Sequence, residues 1–130
     1  MSVAQVTQRA PKETLPILRG DVYIVDFDPL KCDIVKVGSE IVNRRPAVIV
    51  SRNAINRARR TVIVVPLSTS ATPVEIFAVP VPSAGQNSVA VCDQLTTINK
   101  ATRLLNRVGA LSPTDMRLVE RGVKDAMGLA

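Results

Sequence analysis

Short apolar runs, each ended by proline, glycine or polar residues, constrain what this chain can fold into. Such runs, rich in valine and isoleucine and too short for helices, are typical of β-strands. The run TVIVVP (61–66) is almost continuously apolar and therefore predicts a central strand. The other predicted strands are GDVYIVDF (20–27), PAVIV (46–50) with Pro46 at its first residue, EIFAVPV (75–81), SVAVCDQL (88–95) and RLLNRVGA (103–110).

One amphipathic helix is predicted at the end of the chain, over LSPTDMRLVERGVKDAMGL (111–129). Ser112 is its expected N-cap, Pro113 its first helical residue and Gly128 its C-terminal cap. A shorter helical turn is predicted over NAINRARR (53–60), with Asn53 as N-cap. The apolar face of the C-terminal helix is predicted to consist of Met116, Val119, Val123 and Met127.

Strands followed by a terminal helix predict a mainly β, α+β fold. The expected architecture is a small, strongly bent antiparallel sheet or barrel with the helix packed against it. A chain of 130 residues is long enough for one domain with a real core. Residues 1–16 are polar and aperiodic, so we expect a flexible tail followed by one domain over 17–130.

The charge of the chain is positive and unevenly spread. Seventeen Lys and Arg residues against eleven acids give a formal charge of +6. Arginines clustered in one part of the sequence, without acids between them, predict a surface that binds a polyanion, although a solvated basic face would have the same composition. The use of arginine favours phosphate, because the guanidinium fork matches its oxygens. No acid occurs between Glu40 and Glu75, a stretch that holds Arg44, Arg45, Arg52, Arg57, Arg59 and Arg60.

The chain contains no histidine, which removes the commonest metal ligand and the commonest general base near neutral pH. We therefore expect neither a metal site nor a cofactor. Its two cysteines form neither a disulfide framework nor a zinc site, and Cys92 reads as a small buried apolar residue. No apolar stretch approaches the length of a membrane span, so we expect a cytoplasmic protein.

The order of its motifs makes the chain similar to the MazF/PemK family, the toxins of bacterial toxin–antitoxin pairs. The resemblance extends over about residues 18 to 129. It implies an SH3-like curled barrel, a homodimer, no metal requirement and cleavage of single-stranded RNA through attack by the ribose 2′-OH. It also implies an antitoxin, which we expect to present an acidic, partly disordered segment. The motifs are RGDVYIVDFDP (19–29), GSE (38–40), RPAVIVS (45–51), NAINR (53–57), VVPLST (64–69), SVAVCDQLTTI (88–98) and LSP (111–113).

The resemblance places three catalytic positions on this chain: Arg45, Ser68 and Glu40. A fixed guanidinium at Arg45 would stabilise the charge that builds on the phosphate oxygens, and such a donor contributes about 3 to 4 kcal/mol. Ser68 would donate a hydrogen bond to phosphate, and Glu40 would help to take the 2′-OH proton. Structural alternatives are an ion pair for Arg45, a turn for Ser68, and an ion pair of Glu40 with Arg44 or Arg45. Further RNA-binding residues are expected at Asp28, Ser39, Arg44, Thr69, Asp93 and Gln94.

Three features of the sequence depart from the family pattern. Ser68 stands where threonine is usual, Val91 stands where some members carry an arginine, and the loop 30–37 is longer than usual. Two other functions therefore stay open at this stage. One is a CcdB-like inhibitor of DNA gyrase, and the other is a catalytically silent relative that still binds its antitoxin.

Overall fold

The computed structural model describes residues 16–27, 44–71 and 77–129. Within these ranges the chain forms a β-sheet, three α-helices, and short 3-10 turns at Pro82–Ala84 and Cys92–Gln94. Residues 1–15 of the predicted flexible tail (1–16) and the loop 30–37 lie outside the described residues. In chain order, the strands and α-helices are β1 (Asp21–Asp26), β2 (Arg44–Ile49), α1 (Asn53–Ala58), β3 (Thr61–Ser68), β4 (Ala78–Pro80), β5 (Val89–Val91), β6 (Thr96–Asn99), α2 (Lys100–Arg103), β7 (Leu104–Ala110) and α3 (Pro113–Met127).

The strands form one antiparallel sheet in the order β4-β5-β3-β2-β1-β7. Strand β3 is central, as its apolar sequence predicted. It pairs with β2 along its middle, with β6 along its first half and with β5 at its last two residues. Strands β6 and β7 would stand four strand spacings apart in a flat sheet, about 19 Å. They are joined only by the four residues of α2, which span about 6 Å in a helix. The sheet must therefore curl, which confirms the predicted bent, mainly β architecture.

The core is divided into two clusters by the faces of the curled sheet. The inner cluster contains Tyr23, Val25, Ala47, Ile49, Val62, Val64, Ile98 and Leu104. The outer cluster lies between the sheet and α3, and contains Val22, Val48, Val65, Leu67, Val81, Ala90, Cys92, Leu111, Met116 and Val119. Side chains alternate between these clusters along β1, β2 and β3, as the period of a strand requires. Both faces of the central strands are thus buried, which explains their almost unbroken apolar sequences.

Helix α3 begins and ends as the sequence predicted. The Ser112 hydroxyl accepts a hydrogen bond from the Asp115 N–H (3.1 Å), Pro113 is the first helical residue, and Gly128 ends the helix in the left-handed conformation. Of the predicted apolar face, Met116 and Val119 are buried. Val123 is partly buried against the outer cluster, whereas Met127, the last residue of the helix, is 57% exposed and does not extend the buried face.

Several element boundaries differ from the sequence predictions. Strand β2 begins at Arg44, two residues before Pro46, and pairing with β3 starts only at Ala47. The missing N–H of Pro46 therefore interrupts no pairing with β3, and proline is tolerated inside the strand. Arg52, not Asn53, occupies the N-cap position of α1 and makes no side-chain capping hydrogen bond; the Asn53 side chain accepts a hydrogen bond from the Arg19 N–H. The predicted strand 88–95 is β5 followed by a 3-10 turn, and the strand β6 after it was missed.

The Cys92 thiol is buried between the sheet and α3, as its apolar neighbours predicted. Its sulfur lies 3.7 Å from the Ala90 carbonyl oxygen and 3.8 Å from that of Val119. Burial raises the pKa of this thiol to about 12, with a smaller contribution from the nearby Asp93 carboxylate. The thiol is therefore neutral at physiological pH and acts as a packing residue. Cys32 lies outside the described residues.

Candidate active site

The two central catalytic candidates, Arg45 and Ser68, lie at the same end of neighbouring strands. Arg45 is the second residue of β2, and Ser68 is the last residue of β3. Pairing between the strands runs from Ile49 opposite Val64 to Ala47 opposite Pro66. Extended by two residues, this register aligns Arg45 with Ser68.

Alternation along the strands places both side chains on the same face of the sheet. Arg45 is two residues from Ala47, and Ser68 is four residues from Val64, and both of those apolar residues belong to the inner cluster. Arg45 also stands opposite Val25 of β1, another residue of that cluster. The arginine thus lies at the rim of the inner core, half-buried, and the strand behind it restricts its backbone.

The Ser68 hydroxyl is buried, and its surroundings define its orientation. Its oxygen accepts a hydrogen bond from the Ser70 N–H (3.1 Å) and lies 3.2 Å from the Ser70 hydroxyl. Either hydroxyl can be the donor in the contact between Ser68 and Ser70, so the Ser68 proton is available to another acceptor when Ser70 donates. The predicted strand ended at Pro66, but β3 continues to Ser68, which pairs with Val89 of β5.

The other described candidates surround this pair. Arg44 is exposed and stands opposite Asp26, the last residue of β1. Thr69 follows Ser68 and is exposed. Asp93 and Gln94 lie in the 3-10 turn between β5 and β6, both of which pair with β3. They therefore stand along the edge of β3 away from β2, with Asp93 exposed and Gln94 half-buried.

Arg103 is a residue at this rim that the sequence analysis missed. It ends α2, and its Nη1 donates a hydrogen bond to the Asp26 carbonyl oxygen (2.8 Å). Asp26 in turn neighbours Arg44 across β1 and β2. Arg103 is 77 residues from Asp26 in sequence, so no local pattern could have identified the contact.

Three predicted site residues, Asp28, Ser39 and Glu40, lie outside the described residues. The proton-accepting role of Glu40 therefore stays a prediction. Among residues 16–27, 44–71 and 77–129, no three Cys, Asp or Glu side chains come together in a group that could hold a metal ion. No helix in those ranges is both long and apolar enough to cross a membrane.

A curled antiparallel sheet of seven strands with a C-terminal helix defines a small, mainly β class of α+β proteins. The family model described as "PemK-like, MazF-like toxin of type II toxin-antitoxin system" matches residues 18–127. This chain therefore belongs to the PemK/MazF family of toxins, as the order of its motifs predicted.

Individual relatives agree with this assignment. The chain is 29% identical over 109 residues to "Endoribonuclease toxin MazF" of Escherichia coli (strain K12). The aligned region covers 84% of this chain and 92% of that protein. It resembles the structure "Endoribonuclease in complex with its cognate antitoxin from Mycobacterial species", with a TM-score of 0.67, 26% identity, and coverage of 93% and 98%. A MazE–MazF structure from Deinococcus radiodurans shares the fold, with a TM-score of 0.68, 18% identity, and coverage of 87% and 97%.

Proposed function

We propose that this chain is a toxin that cleaves single-stranded RNA without a metal ion and is inhibited by a cognate antitoxin. The observation that carries the proposal is that Arg45 and Ser68 lie at the same end of the neighbouring strands β2 and β3, in a family whose named relatives are endoribonucleases. The gyrase-inhibitor alternative lacks such support, because the matched family is PemK/MazF-like and a gyrase inhibitor needs no phosphate-binding pair at this position.

The proposed reaction uses the RNA itself as the nucleophile. The ribose 2′-oxygen forms a bond to the adjacent phosphorus while the bond from phosphorus to the 5′-oxygen breaks, giving a 2′,3′-cyclic phosphate and a 5′-OH. One proton leaves the 2′-OH and another reaches the departing 5′-oxygen. Negative charge grows on the non-bridging oxygens, and a positioned cation lowers the free energy of that state.

Each described residue has a role in this reaction. The Arg45 guanidinium stabilises the charge on the phosphorane oxygens, and the Ser68 hydroxyl donates a hydrogen bond to one of them. Arg44, Thr69, Asp93 and Gln94 bind the nucleotides around the reacting bond. Arginine keeps its proton far above neutral pH, so the base that accepts the 2′-OH proton is assigned to Glu40 rather than Arg45.

The partners follow from the same proposal. The protein acts in the cytoplasm as a homodimer, and an acidic, partly disordered antitoxin segment covers Arg45 and so blocks RNA. One related structure is named as a complex with its cognate antitoxin, which supports this arrangement. An antitoxin complex that leaves Arg45 accessible and still abolishes cleavage would contradict this mode of inhibition.

The test is cleavage of mixed-sequence RNA by the purified protein in EDTA, with the fragment ends sequenced. We expect discrete cuts with cyclic-phosphate ends, and a loss of about 100-fold or more in rate in Arg45→Ala. Arg117→Ala, which removes an exposed arginine of α3, is the matched control and should cut normally. No cutting by the natural protein would favour the silent-relative alternative. Cutting that survives in Arg45→Ala would contradict the role of Arg45.

A further inference from the structure

The fold divides the arginine block of residues 44–60 into two groups. Arg44 and Arg45 begin β2, whereas the other four arginines follow the far end of that strand: Arg52 directly precedes α1, and Arg57, Arg59 and Arg60 lie on α1 and in the turn into β3. These last three arginines are all exposed. The catalytic site therefore uses only part of the positive charge that the sequence concentrates here.

Lys100 joins the second group through two hydrogen bonds. Its backbone N–H donates to the Arg60 carbonyl oxygen (2.9 Å), and its Nζ donates to the Asn56 carbonyl oxygen in the last turn of α1 (2.6 Å). A cation at the C-terminal end of a helix is favourably placed, because the carbonyl oxygens there carry partial negative charge. We call the surface formed by Arg57, Arg59, Arg60 and Lys100 the basic strip.

Helix α2 connects the basic strip to the rim of the active site. Lys100 begins this helix and Arg103 ends it, about 5 Å further along its axis. The Arg103 guanidinium holds the Asp26 carbonyl oxygen, and Asp26 stands opposite Arg44. An extended chain leaving the site beside Arg44 can therefore reach the basic strip within a few nucleotides.

Within residues 16–27, 44–71 and 77–129, no ion pair with an acid involves the arginines of the basic strip. The ion pairs of Arg19 with Glu120 and of Arg107 with Asp21 lie elsewhere in the described part of the chain. None of the large apolar side chains that are exposed in that part belongs to 52–60 or 99–103. A disordered acidic protein segment that folds on binding needs apolar surface to bury. A surface of three arginines and one lysine fits the phosphates of a nucleic acid better.

We propose that the basic strip binds phosphates of the single-stranded RNA that flanks the bond cleaved at Arg45 and Ser68, an inference that rests on the proposed nuclease function. The contacts are to phosphates, so they strengthen binding without selecting bases. An RNA that fills only the active site gains nothing from the basic strip. An RNA that extends beyond the active site onto the basic strip binds more tightly, and this gain in affinity becomes smaller as the salt concentration rises.

The test compares RNA binding by two charge-matched variants. The first replaces the three arginines of the basic strip by glutamine. Dissociation constants are measured for mixed-sequence RNAs of about 6 and about 20 nucleotides over a series of KCl concentrations. The RNAs carry 2′-O-methyl groups, so the measurement does not depend on cleavage, and failure of the nuclease proposal would be recognised separately. The control makes the same change of charge on exposed residues of α3: Arg117→Gln, Arg121→Gln and Lys124→Gln.

We expect the strip variant to bind the long RNA about tenfold more weakly, with the slope of log K against log salt reduced by about 2. Its binding of the short RNA should equal that of the natural protein, and so should its rate of cutting an unmethylated RNA of the same short length. Equal losses for both RNA lengths, equal losses in the α3 control, or no loss at all would overturn the proposal. A variant that keeps its RNA affinity but loses its antitoxin would show that the strip binds an acidic protein instead.

Discussion

Gly122 provides the sharpest test of how α3 packs on the sheet. A Cβ at this position would lie 2.6 Å from the Cys92 sulfur, about 1 Å inside the normal contact distance. The sulfur is buried and is held between the carbonyl oxygens of Ala90 and Val119, so it has little room to move. Overpacking of this kind costs about 1 to 3 kcal/mol of folding free energy.

Two effects of opposite sign therefore act in Gly122→Ala. Alanine is better than glycine inside a helix by about 1 kcal/mol, which partly offsets the clash. We expect a net loss of about 1 kcal/mol in the free energy of unfolding. In a Cys92→Ala background, the nearest atoms to the new methyl are the Cβ of residue 92 at 3.3 Å and Val79 Cγ1 at 3.5 Å. There the clash is largely relieved, and the same substitution should be neutral or stabilising.

The assay is a double-mutant cycle measured by urea unfolding of the two single variants, the double variant and the natural protein. We expect a coupling energy of at least about 1 kcal/mol, with the effect of Gly122→Ala changing sign or vanishing when the sulfur is removed. Equal effects of Gly122→Ala in both backgrounds would refute the reasoning. They would mean that α3 does not approach β5 and the following turn as closely as 2.6 Å requires.

Three further predictions concern buried groups. The Tyr23 hydroxyl is buried without a hydrogen-bond partner in the described part of the chain, so Tyr23→Phe should raise the free energy of unfolding by about 1 kcal/mol in a urea titration. Burial chiefly, and then the Asp21 carboxylate, raise the pKa of this phenol above 10.0, while Arg107 lowers it. Because the folded protein then holds the proton more tightly than the unfolded chain, stability should fall as the pH rises above 10 in the natural protein, and fall less in Tyr23→Phe. Asp115 Oδ2 accepts hydrogen bonds from the N–H (2.8 Å) and the hydroxyl (2.6 Å) of Ser83, so Asp115→Ala should cost about 2 kcal/mol by the same assay, whereas a cost below 0.5 kcal/mol would contradict that role.

The sequence predicted best those elements whose signals are local. Helix α3 was predicted from its caps, because Ser112, Pro113 and Gly128 act on neighbouring backbone groups. The inner strands were predicted from their apolar runs, because both of their faces are buried. The strand β6 was missed because TTIN (96–99) is mostly polar, and only its pairing with β3 makes it a strand.

The site could be predicted in part for the same reason. The identities of Arg45 and Ser68 came from motifs, but their alignment depends on the register between β2 and β3, which the sequence does not encode locally. Arg103 could not be found at all, since its contact with Asp26 requires the sheet to curl until β7 reaches β1. The positions of these side chains relative to one another therefore depend on pairing between strands that are distant in sequence, which motifs do not reveal.

The separation of the arginines into a catalytic group and the basic strip has a kinetic consequence. Arg45 is half-buried at the end of a paired strand, where a cation can act on a charge that develops during the reaction. The arginines of the strip are exposed, and their interactions with phosphate are the same before and during the reaction. Removing Arg45 should therefore lower the rate of bond cleavage and leave most of the salt dependence of binding in place. Removing the strip should change binding and its salt dependence, and leave the rate on saturating RNA unchanged, because uniform binding does not lower the barrier of the chemical step.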